Sequence, residues 1–590
     1  MNFEEQDYEF VESLLLNGRK FNDLQRRFIS LFETKTIVAG PGAGKTTSLA
    51  AKIILLFRHL EKTGSKDSLC IITYTNVAVN EINTSLTKAG LGEIKHPHFI
   101  GTIHEFLNHF CVIPYFRINY GHTSLFFDQS HSNDEEFYKR YLERTESWMK
   151  PGAIDKISEN NIDTKLFFNK ETLNFDLENL NNNPRVVESF RKNKHRMLKA
   201  KVARKAQGYL EFDDTFPFAE AFLSTDYYQE ILRRRFKFVF VDEFQDTKSL
   251  GASLLGQIFN TESCILQLIG DPYQTIMYEQ HSMPEIVEQD TFRMNLSIRF
   301  GKEISQCLNT ILPEANIQVT DQAVSFRPHI LLYEDKEEIY GAYKQLIASY
   351  EEQDQEFKSS IHEDKVLVLQ TRWASLVKSG QIYSKSKSKK TKFINSELKK
   401  VIIDFLLKRL GQTENNTHEL KKWLKNHKDI HILNGIFVDL LKNRNMDENK
   451  VKLLQVVNHI LESKGLEKIL ISNNLFKDLE QLLSSKTIVE KAAVVDDDIY
   501  TIHSVKGETL RSALVVNFEN GPLTKILFHR YGITTDEDYR FTDQNLLYVA
   551  MSRVSHLFVF AIHKDLWNEE VSEKFTEHWD IVYTRELVGV

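Results

Sequence analysis

Short apolar runs recur along the chain, separated by longer stretches whose apolar positions fall at helical spacing. Thr36–Ala39, Leu69–Thr73 and Phe99–Thr102 read as strands, with a helix through Ser48–Leu60 between the first two. Strands that alternate with helices predict a parallel α/β sheet covered on both faces. Strand patterns return at Phe236–Val241 (FKFVFV) and Cys264–Ile269. They appear again at His329–Tyr333, Lys365–Gln370, Ala513–Phe518 and Leu557–Ile562. Between these blocks, residues 108–205 are charged, Asn-rich and mostly helical in texture. Residues 374–494 are helical and Lys-rich, and the run YSKSKSKKTK at Tyr383–Lys392 reads as a surface loop. The pattern predicts an α/β protein with two parallel-sheet domains, each carrying a mainly helical insertion. The first domain takes residues 1–107 and 206–290 around the insertion 108–205. The second takes 291–373 and 495–590 around the insertion 374–494.

Composition narrows the classes. The 590 residues are 42% hydrophobic and 27% charged, enough for more than one core. A net charge of −7 gives no global positive field, so any nucleic-acid binding must rest on local patches. Four cysteines, Cys70, Cys111, Cys264 and Cys307, lie far apart without a CxxC pair, against a zinc ribbon, an iron–sulfur cluster or a disulfide scaffold. No apolar run nears the ~20 residues of a membrane span, and MNFEEQDYEF lacks the basic and apolar regions of a signal peptide. The expectation is a soluble cytoplasmic protein with no membrane partner.

The candidate chemistry begins at Ala39–Thr47, AGPGAGKTT, between a strand and a helix. Gly40, Gly42 and Gly44 let backbone N–H groups approach phosphate oxygens, and the helix N-terminus adds positive potential. Lys45 would reach the β- and γ-phosphates and Thr46 would bind Mg²⁺, with Thr47 beside them. FVFVDEFQD (Phe238–Asp246) sets Asp242 and Glu243 past an apolar strand, where parallel sheets bind ligands. Alone, an acidic pair after a strand is as often a helix cap. With the Lys45 loop, Asp242 reads as a Mg²⁺ ligand and Glu243 as the group that polarises water.

Taken in order, these elements resemble the UvrD/Rep/PcrA group of superfamily 1A helicases. The other segments that carry the resemblance are FNDLQRRF (Phe21–Phe28), TYTNVAVNEI (Thr73–Ile82), GTIHEF (Gly101–Phe106), GYLEFDDT (Gly208–Thr215), IGDPYQTIM (Ile269–Met277), MNLSIRF (Met294–Phe300), YTIHSVKGE (Tyr500–Glu508) and LLYVAMSRV (Leu546–Val554). The resemblance implies two RecA-like P-loop NTPase domains with ATP and Mg²⁺ between them. It casts Gln25 as the reader of adenine, Gln274 as the γ-phosphate sensor, Arg299 and Arg553 as arginine fingers, and Gly507 and Glu508 as the segment near the ribose. For single-stranded or forked DNA it points to Tyr74, Thr75, Asn76, Thr102, His104, Tyr278 and His503. The implied activity is ATP-dependent 3′→5′ translocation on DNA with strand separation, one lobe gripping as the other moves.

The chain departs from the group's pattern at Val77, Ile298, Glu508-Thr509 and Met277-Tyr278-Glu279, none of which removes a catalytic group. A basic run, Arg191–Lys205, has eight Lys or Arg in fifteen residues and suits either duplex phosphates or a solvated helix face. With about 37 residues after Arg553, the expectation is a chain without a fused nuclease domain. By analogy with divergent branches such as the Gabija anti-phage helicase subunit, a second reading is a DNA-stimulated ATPase that acts as a switch for a partner OLD-type nuclease.

Overall fold

A computed structural model of the chain describes residues 1–128 apart from 2, 93 and 95, then 165–178, 182–276, 283–377, 499–518, 521–533 and 539–588, with 446–470 and scattered other positions among 401–479. The chain forms two compact units, Met1–Ile382 with Asp498–Val590, and Tyr383–Asp497.

The first unit is built on strands. In chain order they are β1 (Lys35–Ala39), β2 (Leu69–Thr73), β3 (Phe99–Thr102), β4 (Phe126–Asp128), β5 (Leu166–Asn169), β6 (Asn174–Leu177), β7 (Tyr209–Glu211), β8 (Phe238–Val241) and β9 (Ile265–Gly270). They continue with β10 (Thr291–Met294), β11 (Leu296–Ser297), β12 (Gln318–Val319), β13 (His329–Tyr333), β14 (Asp364–Val368), β15 (Ile499–Thr501), β16 (Leu510–Val516), β17 (Val554–His563) and β18 (Asp580–Tyr583). Two six-stranded sheets result, ordered β10-β1-β9-β8-β2-β3 and β15-β14-β16-β17-β13-β18. Every pairing within them is parallel. All carboxyl ends of one sheet therefore share an edge, where loops from distant parts of the sequence meet.

Helices cover both faces of each sheet. On the first, α1 (Glu5–Leu15), α2 (Asp23–Ser30), α3 (Lys45–Thr63) and α4 (Asn76–Lys88) enclose a core that includes Ile37, Leu49, Ile53, Leu56, Ile71 and Phe240. Phe106, Phe116, Phe218, Val239 and Leu254 fill the opposite face. β2 is buried at all five positions, which is why its sequence is apolar without alternation. The second sheet is likewise sandwiched, with Ile304, Leu547 and Phe560 on one side and Tyr343, Leu514 and Val559 on the other.

Two features depart from the expected pattern. β10 joins the first sheet, pairing Thr36 to Ala39 with Thr291 to Met294; its mixed sequence, TFRM, owes its extended form to that pairing. Between residues 108 and 205 the structure includes the antiparallel hairpin β5–β6, where the charged, Asn-rich texture had suggested helix. Leu166 and Phe168 point inward in the period-two alternation of a strand. Asn169 Oδ1 accepts from the N–H groups of Glu171 and Thr172, closing the turn. The basic run falls on the helix Pro184–Ala206. Arg191, Lys192 and Lys199 are exposed there, while Lys205 is buried against Asp214 at 2.7 Å.

In the second unit, helix Met446–Glu462 buries Leu453, Val457 and Leu461, four residues apart on one face, among Leu406, Leu410 and Leu433. The Ser/Lys run Tyr383–Lys392 lies outside the described residues. Among the described residues no helix is long and apolar enough to cross a membrane.

Candidate functional site

The turn between β1 and α3 is held from below by Gly40 N–H, which donates to Met294 O of β10 at 2.9 Å. Gly42 and Gly44 have φ of +75° and +74°, the left-handed region that favours glycine. Gly44 is the N-cap of the nineteen-residue α3, and no side chain caps it. The first-turn N–H groups, with Lys45, Thr46 and Thr47, thus form a positive, donor-rich mouth suited to an anion.

Asp242 and Glu243 follow β8 directly. Lys45 Nζ lies 3.3 Å from Asp242 Oδ1 and bonds Glu243 Oε1. Burial works against the charged forms of all three groups. At Lys45 the two carboxylates outweigh it and raise the pKa. At Glu243 the Lys45 ammonium and the Gln245 amide outweigh it and hold the carboxyl at about 2. At Asp242 burial prevails and the pKa rises. The neighbouring Glu243 carboxylate adds to the rise at Asp242. Asp242 Oδ1 is buried and, beyond its ion pair with Lys45, makes no hydrogen bond among the described residues, an acceptor suited to a divalent cation's water shell. With the half-buried Thr46 at the helix mouth, the donor set fits Mg²⁺, a hard cation that takes oxygen ligands.

Gln25 is nearly fully buried at the N-terminus of α2. Its Oε1 accepts from Asn22 N–H in a capping box, and its Nε2 donates to Ala43 O in the phosphate turn. Gln25 therefore braces the phosphate loop through hydrogen bonds to backbone at both ends of its amide.

The second sheet's elements close over this cluster. Ile298 N–H donates to Gly42 O at 3.0 Å. A Cβ on Gly42 would lie 2.7 Å from Arg299 Cβ, so the glycine permits the close approach of Arg299. Arg299 Nη1 donates to Ser552 O at 2.8 Å, beside Arg553. Burial and then the neighbouring Arg553 push Arg299 down to about 9. Arg553 is buried; its Nη2 donates to Gln274 Oε1 at 2.8 Å, and its Nε has no hydrogen-bond partner among the described residues. Gln274 Nε2 in turn donates to Asp271 Oδ2, which also accepts from Tyr548 OH at 3.3 Å. Lys506 Nζ bonds both oxygens of Asp246 and the carbonyl of Gln274. The structure thus brings Lys45, Asp242, Glu243, Gln274, Arg299 and Arg553 into one connected set.

Asp271, Gln245, Asp246, Lys506 and Tyr548 were not singled out from the sequence. Each lies inside a segment already recognised, and the signal was a polar group within an apolar run or next to a named residue. Glu508 is the member held apart. Its carboxylate is bound by Lys365 at 2.6 Å, beside the exposed Gly507 at φ +90°.

On the DNA-contact list, Tyr74 is 37% exposed and Val77 67% exposed. Thr75 caps α4 by accepting from Ala78 N–H, and Asn76 is exposed. Thr102 caps the next short helix. His104 stacks on Phe212 at 3.8 Å and meets Phe216 edge-on. Burial and then Lys248 push its pKa down to about 4, so it stays neutral near pH 7. His503 is exposed, and Tyr278 lies outside the described residues.

Residues 21–295 match the UvrD/REP helicase N-terminal domain. The chain is also 27% identical over 314 residues to a probable DNA helicase II homolog of Mycoplasma capricolum subsp. capricolum, a match covering 51% of this chain. It spans 40% of the length of that curated relative. Both findings support a UvrD-like helicase.

Proposed function

We propose that the protein is an ATP-dependent DNA helicase of 3′→5′ polarity, its two parallel sheets acting as RecA-like lobes around one ATP. The observation that carries this reading is the junction of the sheets. Lys45, Asp242 and Glu243 come from the first, Arg299 and Arg553 from segments packed on the second, and the Arg553–Gln274 bond links the two sets. Phosphoryl transfer is catalysed largely by positioning and charge neutralisation, and Lys45 on the acidic pair with Arg299 and Arg553 across the junction would supply both.

The α3 mouth and Lys45 would bind the β- and γ-phosphates. Thr46 and Asp242 would hold Mg²⁺, which neutralises phosphate charge when bound. A triphosphate competes for Lys45, and a Glu243 released from that ammonium is free to orient water. Arg299 and Arg553 would face the charge that develops on the γ-phosphate. Gln274 carries the event across the junction, because its amide bonds Asp271 on one side and Arg553 on the other. Tyr74 with Val77 supports a strand-stacking surface at the carboxyl edge of the first sheet, where an exposed ring can contribute roughly 1–3 kcal/mol per base.

Strand displacement on duplexes with a 3′ or a 5′ single-stranded tail tests the proposal. Unwinding of the 3′-tailed duplex with ATP, and none after Lys45→Ala, is expected. Preference for the 5′ tail would refute the polarity, and unwinding without nucleotide would refute the coupling.

A further inference from the structure

Lys52 stands seven residues after Lys45 on α3 and is completely buried in the first-sheet core. Its Nζ donates to Phe28 O at 2.9 Å and to Leu31 O. Phe28 belongs to the last turn of α2, and Leu31 is its C-cap. These carbonyls belong to the end of a short helix, whose last C=O groups have no partner within the helix. The negative end of the α2 dipole faces the ammonium. The rings of Phe28, Phe32 and Phe240 surround Nζ at 4.5, 4.8 and 5.2 Å, and their faces favour a cation. Lys52 is closed off from solvent, and these partners hold its Nζ. Gln267 on β9 donates to the same Leu31 carbonyl at 2.9 Å and to Glu33 O at 3.0 Å. The end of α2 is therefore pinned from two elements of the sheet domain.

This joint lies behind the phosphate loop. α2 carries Gln25 at its other end, and Gln25 holds Ala43 O in the loop. α3 carries Lys45, and Phe240 lies two residues before Asp242 on β8. We infer that Lys52 is a positioning residue for nucleotide binding: it fixes α2 on α3 so that Gln25 braces the phosphate loop in its binding form. A buried polar side chain satisfied only by the backbone of a neighbouring helix fixes register and angle more tightly than an apolar side chain, which can slide. The inference rests on the ATP reading and reaches beyond it, since Lys52 is enclosed in the core and contacts no ligand.

The test compares wild type, Lys52→Met, Lys52→Arg and the destabilised control Phe575→Leu, which lies in the second-sheet core. Steady-state hydrolysis over a range of ATP concentrations at saturating single-stranded DNA gives KM and kcat. Calorimetric titration with ADP gives affinity without turnover, and thermal melting reports stability. Lys52→Met is expected to raise KM for ATP and Kd for ADP about tenfold with kcat within threefold. Lys52→Arg, which keeps donors to both carbonyls, should restore KM to within threefold of wild type, and Phe575→Leu should lower the melting temperature without moving KM. A folded Lys52→Met with unchanged KM and Kd overturns the inference, as does a control that shifts KM equally. Should Lys52→Met not fold, Lys52→Gln, which keeps one donor, is held to the same criteria. Wild-type protein that neither binds nor hydrolyses ATP would refute the proposed function, and this inference with it.

Discussion

At the scale of single residues, the site turns on competition for one ammonium. Lys45 is shared by Asp242 and Glu243, and that sharing keeps Glu243 ionised at about 2 while Asp242 is raised. A triphosphate that takes Lys45 would free this carboxylate to hold the attacking water. Glu243→Gln should therefore leave ATP affinity within about threefold and lower single-turnover hydrolysis by roughly 10²-fold or more. Equilibrium binding and rapid-quench hydrolysis read the two quantities separately, and a loss confined to binding would contradict the assignment.

Asp271 supports a second residue-scale prediction. Burial raises its pKa to about 6, above the ordinary 3.8. The folded state therefore holds this proton more tightly than the unfolded chain, and the group's contribution to stability falls as pH rises from about 4 to about 6. The melting temperature of Asp271→Asn relative to wild type should accordingly shift in the variant's favour across that window and level off above it. A difference independent of pH would show that Asp271 does not titrate there. Lys45 and Asp242 stood out in the sequence through local spacing, a Gly-rich turn before a helix and an acidic pair after an apolar strand, whereas Gln274 and Arg553 were named through the resemblance alone. Asp271 did not stand out, because its partner Tyr548 comes from a distant helix and only the fold brings them together.

At the scale of elements, legibility followed burial. β2 and β13 match their apolar runs end to end, since each is a continuous buried strand with little choice of register; β3 matches its run too, although only Gly101 in it is fully buried. β10 was missed because TFRM is polar enough to pass for loop and is made a strand by β1. The phosphate turn joins β1 to α3, and at Gly42 it packs closely against Ser297 and Arg299. Gly42→Ala would strain a φ of +75° by roughly 1–2 kcal/mol and drive a methyl group toward Arg299. ATP affinity should fall at least tenfold as Arg299 is displaced, measurable by nucleotide titration. An unchanged affinity would mean that the approach of Arg299 is not needed for binding. The basic helix Pro184–Ala206 divides its charges between a solvent face and the core, so only its exposed residues, Arg191, Lys192 and Lys199 among them, are available to phosphates.

At the scale of the whole first unit, the two sheets are tied by polar bonds, among them Lys506 to Asp246 and Gln274, and Arg553 to Gln274, and by Ile276 and Tyr273 packed against the second-sheet core. The polar bonds among these ties can be remade as the sheets move. Lys506→Ala leaves the buried Asp246 carboxylate without its cation and should weaken communication between the sheets. DNA-stimulated hydrolysis is expected to fall at least tenfold while hydrolysis without DNA changes less than threefold. Equal losses in both rates would make Lys506 part of the chemistry instead. The architecture of paired parallel sheets could be read from strand and helix alternation, but their junction could not, because its bonds connect residues more than 200 positions apart.

The most direct test of the central claim is the rate of ATP hydrolysis by wild type and Lys45→Ala, each with and without single-stranded DNA. A motor driven by nucleic acid requires strong stimulation of the wild type by DNA and its loss, with the basal rate, in Lys45→Ala. Hydrolysis indifferent to DNA, or undiminished in the variant, would contradict it.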